Sequence, residues 1–494
     1  MQLYDKDLLS MQEVRELVGA AKKAQQELAD MTQEQVDRIV KAIADAGVRN
    51  ARRLAEMANE DTGFGKVEDK IIKNIFGSRG VYEFIKDMKT VGELERDEVN
   101  KTRTIAVPVG VIAGLIPSTN PTSTALYKSE IAIKAGNAIV FSPHPTALRS
   151  IMETVKVIRQ AISEAGGNEN LVSCITIPTM EATDNLMRHR DVALILATGG
   201  SAMVRAAYSS GTPAIGVGPG NGPAYLERTC DLPLAVKRIL DSKTFDWGTI
   251  CASEQSIICD EDMAKAVQAE MEKQGAYFLD EAERTKLGRF ILRANGTMNP
   301  EIVGRSVETI AKLAGLDKVP PTARVLVARE DGVGRGHPYS NEKLGPILAF
   351  YTGKDYKDVC DKACTILRYE GAGHTFSMHT RDDAMVEYFA RRVPVSRVIV
   401  NTASALGGIG ASTALQPALT LGCGAVGGSA TSENVGPMQL LNTRKVAFGL
   451  RELDDIRRAA SPACGESACA ASGASLSEAD LEDIVRKIVA RLKQ

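Results

Sequence analysis

Between residues 102 and 400 the chain changes its hydrophobic period again and again. Short runs that are apolar at nearly every position (AIVF at 138–141, VSCITI at 172–177, VALILA at 192–197, VLVA at 325–328, RVIV at 397–400) alternate with segments whose apolar residues recur every three or four positions. A strand without a polar face must be covered on both sides, and helices flanking a parallel sheet do this. The alternation predicts an α/β protein with two doubly wound α/β domains, joined near residue 226. At 494 residues the chain is long enough for two or three such cores.

The flanks read differently. Residues 10 to about 90 are predicted to form consecutive amphipathic helices, with Val14, Leu17, Val18 and Ala21, then Val36, Ile39, Val40 and Ile43, at helical spacing. Residues 104–116 read as a hairpin strand running into a buried strand, Pro108 marking an edge position. Residues 459–474 are small and nearly uncharged, the composition of a flexible linker with a reach of about 20 Å. Residues 475–494 place Leu481, Ile484, Val485, Ile488, Val489 and Leu492 on one helical face, with Ser475 and Glu478 at capping-box spacing. A helix of that length spans about 30 Å and is marginal alone, so it needs a partner surface.

Composition narrows the function. A formal net charge of -2 and the lack of basic clusters argue against nucleic acid or an anionic membrane as partner. Nine Cys with no CxxC pair read as reduced thiols of a cytosolic protein, and five His with no HxxxH or HExxH spacing give no metal site. No signal-peptide pattern is seen, and no apolar run approaches the ~18 residues of a membrane span.

Chemistry concentrates in TFDWGTICASEQS at 244–256, which holds the only Trp of the chain and, four residues later, Cys251, followed by the small residues Ala252 and Ser253. An accessible thiolate attacks carbonyl carbon well, so Cys251 is the candidate nucleophile; a Cys packed as a small hydrophobe is the commoner role. In IPSTNPTS at 116–123 a strand ends at a polar turn, where Asn120 is placed either to donate its amide to an oxyanion or to bond its own backbone. ATGGSAMV at 197–204 is strand, Gly-rich turn and helix start: backbone N–H groups there attract phosphate, or the turn is simply tight. Glu342, in EKLGPI at 342–347, has the chemistry to chelate a ribose diol or to be merely solvated.

Taken in order, these stretches, together with GVGPGNGPA at 216–224, resemble the aldehyde dehydrogenase family over nearly residues 1–450, and within it the CoA-acylating branch. The resemblance implies Cys251 as nucleophile, Asn120 and the Cys251 backbone N–H as oxyanion site, and Glu342 on the nicotinamide ribose. It implies Thr198, Gly199, Gly200 and Ser201 along the pyrophosphate of NAD, with Gly218 nearby, and His374 facing the thioester or CoA, unless that His is structural. It further implies a cofactor domain at 1–226 with an oligomerisation hairpin near 100–112, a catalytic domain at 227–425, a return segment at 426–458, and a homodimer or homotetramer. The apolar-faced helix at 475–494 resembles peptides that carry enzymes into bacterial microcompartments, which makes shell proteins or co-cargo the expected partners and the compartment lumen the expected location; a docking helix within the oligomer is the alternative.

Two departures from hydrolytic relatives sharpen the reading. Where those carry a Glu that activates water, this chain has GVGPG at 216–220, without a carboxylate. General-base help is worth about 10²- to 10⁴-fold, which a thiol arriving partly as thiolate needs far less, so CoA rather than water is the expected acceptor. At 141–144 the chain reads FSPH, where many relatives place a Lys before the Pro; Ser142 and Pro143 are the expected adenosine-ribose contacts, and the lack of an Arg there favours NAD over NADP. A short aldehyde is the expected substrate, acetaldehyde ahead of propionaldehyde; a hydrolytic or phosphate-linked (semi)aldehyde dehydrogenase of the same superfamily, or a non-catalytic scaffold with a decayed site, is the alternative.

Overall fold

The computed structural model describes residues 5–293, 296–460, 482 and 486. It divides into two compact units, one of Met1–Glu95 and Thr104–Lys445, the other of Arg96–Arg103 and Val446–Gln494. No described helix is long and apolar enough to cross a membrane.

Helices Lys6–Ala29 and Gln33–Arg49 open the chain, the first capped by the Asp5 side chain, the second by a Thr32–Gln35 capping box. The second buries Val36, Ile39, Val40 and Ile43, the stripe its spacing predicts, against helices Pro121–Lys134 and Leu148–Glu164.

Strands β1 (Glu93–Asp97) and β2 (Thr102–Pro108) precede the first parallel sheet, which is built from β3 (Val111–Ile116), β4 (Ala138–Pro143), β5 (Val172–Cys174), β6 (Val192–Thr198) and β7 (Ala214–Val217) in the order β5-β4-β3-β6-β7. The second parallel sheet contains β8 (Pro223–Leu226), β9 (Ser256–Asp260), β10 (Ala276–Phe278), β11 (Val325–Arg329), β12 (Ile347–Gly353), β13 (Gly373–His379) and β14 (Val395–Val400) in the order β10-β11-β12-β9-β8-β13-β14. β15 (Leu441–Ala447) completes a three-stranded sheet, order β1-β2-β15.

Neighbouring residues of the second sheet feed opposite cores: Tyr225, Ile258, Leu326 and Ala349 one, Ala224, Ile257, Val325 and Leu348 the other. Successive side chains on a strand point to opposite faces, so a sheet covered on both sides needs apolar residues at both parities. The core of the first sheet extends to Ile250 and Ala252, the residues on either side of Cys251.

The structure differs from the sequence reading in details with local causes. The run 172–177 pairs as a strand only to Cys174, because the Glu13 carboxylate accepts the amides of Thr176 and Ile177 at 2.8 and 3.2 Å and draws the chain off the sheet. The chain changes sheets between Val217 and Pro223 rather than at 226, so the GVGPG run at 216–220 is itself the crossing. Helix Leu453–Ala460 takes in the first two residues of the expected linker. The rest of the linker and the expected helix at 475–494 lie outside the described residues, apart from Glu482 and Arg486.

Candidate active site

In the first sheet the order reverses at the β3–β6 pair, and a crevice opens beyond the carboxyl ends of strands at such a point. The loops leaving those strands line a cavity of about 380 Å³. Residues 117–120 come from the end of β3, His144 and Thr146 from β4, Thr198, Gly199 and Gly200 from β6, and Val217, Gly218 and Pro219 from β7. The opposite wall is supplied by segments that lead into the second sheet: Thr249 and Cys251 ahead of β9, Glu342 and Leu344 ahead of β12. Seven residues singled out in the sequence (Cys251, Asn120, Thr198, Gly199, Gly200, Gly218 and Glu342) therefore share one cavity.

The turn that presents Cys251 is strained. Asp246 and Trp247 sit at φ 47° and 51°, followed by Gly248 at φ 71°. A non-glycine residue in this region costs roughly 1 to 2 kcal/mol and persists only where its surroundings hold it. Here they do. The buried Asp246 carboxylate accepts from the Lys66 amide at 2.7 Å, Lys70 Nζ at 3.1 Å, Thr249 Oγ1 at 2.7 Å and Lys73 Nζ, while Asp69 accepts the Asp246 amide at 2.8 Å. Gly65 lies so close that a Cβ would stand 1.8 Å from Asp246 Oδ1. Burial pushes the Lys73 ammonium down to about 8, although Asp246 pulls the other way.

Asn120 begins helix Pro121–Lys134, yet its side chain does not cap it. Its Oδ1 accepts from Lys73 Nζ at 2.5 Å, and its Nδ2 donates to Thr119 Oγ1 at 3.1 Å and to the Thr249 carbonyl at 3.4 Å, two residues ahead of Cys251. The turn Asn is thus tied to the loop that carries Cys251, and both residues line the cavity.

Cys251 is partly buried. Desolvation pushes its thiol up to about 12, Glu342 and Cys423 add to this, and the Arg397 guanidinium opposes them. The sulfur is therefore held mainly as thiol near neutrality, not as the preformed thiolate expected of an exposed nucleophile. Because thiolate is the species that alkylates, its fraction should grow about tenfold per pH unit below that value. Iodoacetamide labelling of Cys251, followed by mass spectrometry, should rise steadily from pH 7 to 10. A plateau beginning near pH 8 would show that Cys251 titrates well below the value its burial sets.

Glu342 is pushed up to about 8 by burial and by the neighbouring Glu370. Its Oε1 accepts the Gly220 amide at 2.8 Å. Gly220 in turn packs so tightly that a Cβ would lie 1.9 Å from the Cys251 carbonyl oxygen and 3.2 Å from His374 Cε1. His374 does not line the cavity: it is buried on β13 behind Gly220, its Nδ1 2.9 Å from Thr375 Oγ1. Burial and Arg397 push it down to about 3, so it is neutral at physiological pH. Ser142 and Pro143 are also buried away from the lining, and the Ser142 hydroxyl pairs with Thr183 Oγ1 at 2.8 Å; the exposed His144 and Thr146 stand at that end instead.

Sequence reasoning missed Lys73, Asp246, Arg397 and Cys423. Arg397 donates to the His374 carbonyl at 2.9 Å and to Thr375 Oγ1 at 3.5 Å. A lysine within a predicted amphipathic helix reads as solvated, and only a partner 173 residues away shows otherwise.

Helix Ser201–Ser209 starts at Gly200 with no side-chain cap, and a Cβ at Gly200 or at Gly218 would meet nothing within 4 Å. An uncapped helix start facing open space fits an anionic pyrophosphate. No Lys or Arg is among the described residues lining the cavity.

Residues 4–414 match the model of the aldehyde dehydrogenase family. The chain is 45% identical to the bifunctional aldehyde-alcohol dehydrogenase of Escherichia coli (strain K12) over 88% of its own length and 49% of that protein, so it spans about half the length of that relative. An acetylating aldehyde dehydrogenase from Geobacillus thermoglucosidasius has a similar structure, with 49% identity, a TM-score of 0.89, and coverage of 91% of this chain and 99% of that one. A propionaldehyde dehydrogenase from the fucose utilisation bacterial microcompartment of Clostridium phytofermentans superposes with a TM-score of 0.79 at 27% identity, covering 88% and 97% of the two chains. The chain belongs to the aldehyde dehydrogenase family, and its relatives include acylating members.

Proposed function

We propose that the protein is an NAD-dependent, CoA-acylating dehydrogenase of short aldehydes, acetaldehyde first and propionaldehyde next. One observation carries the reading: Cys251 and Asn120, whose Nδ2 reaches the Thr249 carbonyl beside Cys251, meet in a cavity whose lining has a single described carboxyl, that of Glu342, already engaged by the Gly220 amide. The nucleophile and the oxyanion donor are in place, and a free carboxylate to act as base for water is not.

In this mechanism the Cys251 thiol first gives up its proton to solvent, the thiolate sulfur adds to the aldehyde carbon, and the resulting oxyanion is taken up by Asn120 Nδ2 and the Cys251 amide. Thr198, Gly199, Gly200 and Ser201 would face the pyrophosphate of NAD, and Glu342 its ribose; when bound, the nicotinamide supplies the hydride acceptor. The acyl group remains on Cys251 as a thioester until the CoA sulfur attacks its carbonyl and the Cys251 thiolate leaves. Gly220, wedged against the Cys251 carbonyl, fixes the nucleophile's backbone during both attacks. His374, neutral and behind Gly220, supports that wall rather than donating a proton.

The cation-free lining suits NAD better than NADP, whose extra phosphate attracts Arg or Lys. The amphipathic segment at 475–494, beyond a linker of small residues, supports placement in a bacterial microcompartment through contact with shell proteins or co-cargo; the family resemblance alone supports a homodimer or homotetramer.

Purified protein given acetaldehyde and NAD should form NADH steadily only when CoA is present. Without CoA the steady rate should be lower by about 10²- to 10⁴-fold, the factor general-base help would otherwise provide to water. Equal turnover without CoA would sink the acylating reading.

A further inference from the structure

The buried cluster of Lys70, Lys73 and Asp246 lies outside the chemistry described so far, yet it joins the two loops that carry it. Lys73 Nζ donates to Asp246, to Thr249 Oγ1 at 3.3 Å and to Asn120 Oδ1 at 2.5 Å, and its side chain is 2% exposed. Lys70 Nζ reaches Asp246 at 3.1 Å and the Thr119 carbonyl at 3.4 Å. Thr119 adjoins Asn120, and Thr249 lies two residues ahead of Cys251.

We propose that Lys73, anchored by Asp246, is a positioning residue that fixes which end of the Asn120 amide faces the reacting carbonyl. The inference rests on Asn120 as the oxyanion donor. The two ends of an Asn amide are nearly equal in size, but only Nδ2 donates, whereas a lysine ammonium donates and never accepts. Oδ1 must therefore face Lys73, and Nδ2 must face the other way, toward Thr249 and the cavity. A flipped amide would set its NH₂ against the ammonium, two donors with no acceptor, and would turn an oxygen toward the forming oxyanion. A buried ion pair that merely ties the helix Val67–Ile75 to the Cys251 loop would have no need to touch Asn120.

A double-mutant cycle separates these roles. The rate of the first-turnover burst of NADH is measured for Lys73→Met, Asn120→Ala and the double variant, with thermal melting as a check of fold. Asn120→Ala should slow the burst by about 10² to 10³, the usual effect of losing one oxyanion donor. Lys73→Met should slow it by about tenfold or more through a misplaced donor, and Lys73→Gln, which keeps an N–H near Oδ1, should recover much of that loss. The double variant should be no slower than Asn120→Ala alone. Additive losses, or a full-speed Lys73→Met beside a slow Asn120→Ala, would overturn the role of Lys73 alone. A full-speed Asn120→Ala would overturn the oxyanion reading and the role of Lys73 with it. Should Lys73→Met not fold, Asp246→Asn, which releases the anchor while keeping its shape, takes its place in the same cycle.

Discussion

Replacing Cys251 with Ala should lower aldehyde oxidation by roughly 10⁶-fold, the scale seen when a covalent nucleophile is removed from an otherwise intact site. The size follows from the lack of a substitute. Among the described residues lining the cavity, Cys251 is the one thiol, and the sulfur nearest in its electrostatic effect, Cys423, is buried and bonded to the Leu421 carbonyl at 3.5 Å. The change itself is small, the loss of one partly buried sulfur between Ile250 and Ala252, which stay in the core of the first sheet. The Asp246 network that shapes the turn does not involve the Cys251 side chain, so the variant should melt near the parent and still quench its protein fluorescence on binding NAD. Activity within tenfold of the parent would mean that no thioester forms on Cys251. Loss of both activity and NAD binding would mean that the turn had collapsed, and the variant would then say nothing for a thioester.

The parts of this fold that the sequence announced are those in which one residue's chemistry decides its own surroundings. Apolar runs such as those at 138–141 and 192–197 had to be strands covered on both faces, and they are β4 and β6 of a parallel sheet. Strands with weaker patterns, β7, β8 and β10, were not read, because three or four apolar residues beside turns fit several states equally. The site divides the same way. Cys251, Asn120 and Glu342 stood out for the reactions their side chains can do. Lys73 and Asp246 did not, since a lysine in an amphipathic helix and an aspartate in a turn acquire meaning only by burial against each other. The Cys251 thiol is a related case: its sequence neighbours say nothing of its titration, because the dominant effect on it is desolvation, a property of the whole cavity wall. Ser142 illustrates the opposite case: it and Pro143 still belong to the buried strand, the Ser142 hydroxyl pairing with Thr183, and the chain meets the crevice only beyond the end of β4, at His144.

Gly218→Glu should turn the acyl-enzyme from one that waits for a thiol into one that hydrolyses. Gly218 lines the cavity with Cys251, a Cβ there would meet nothing within 4 Å, and its backbone is not in the left-handed region, so a side chain can be added without strain. The assay needs no nucleotide. Acetyl-CoA is mixed with the protein, the Cys251 thiolate attacks the thioester carbonyl, CoA leaves as a thiol, and a coloured disulfide reagent records its release after quenching. In the parent the release should stop near one equivalent per site, because water attacks acetyl-Cys251 slowly. In the variant a carboxylate beside the thioester takes a proton from water as its oxygen adds, acetate leaves, and Cys251 is freed for another cycle; steady release should rise by about 10²-fold, the lower end of general-base help, since the new carboxylate has no partner to hold it. Gly218→Gln, equal in size and without a base, should behave as the parent. If the parent itself released CoA steadily at the variant's rate, a base would already be present, and Glu342 is the lining carboxyl that could serve. Its engagement by the Gly220 amide would then be a resting position rather than a restraint, and the acceptor of the acyl group would be chosen by whether Glu342 holds a ribose or a water.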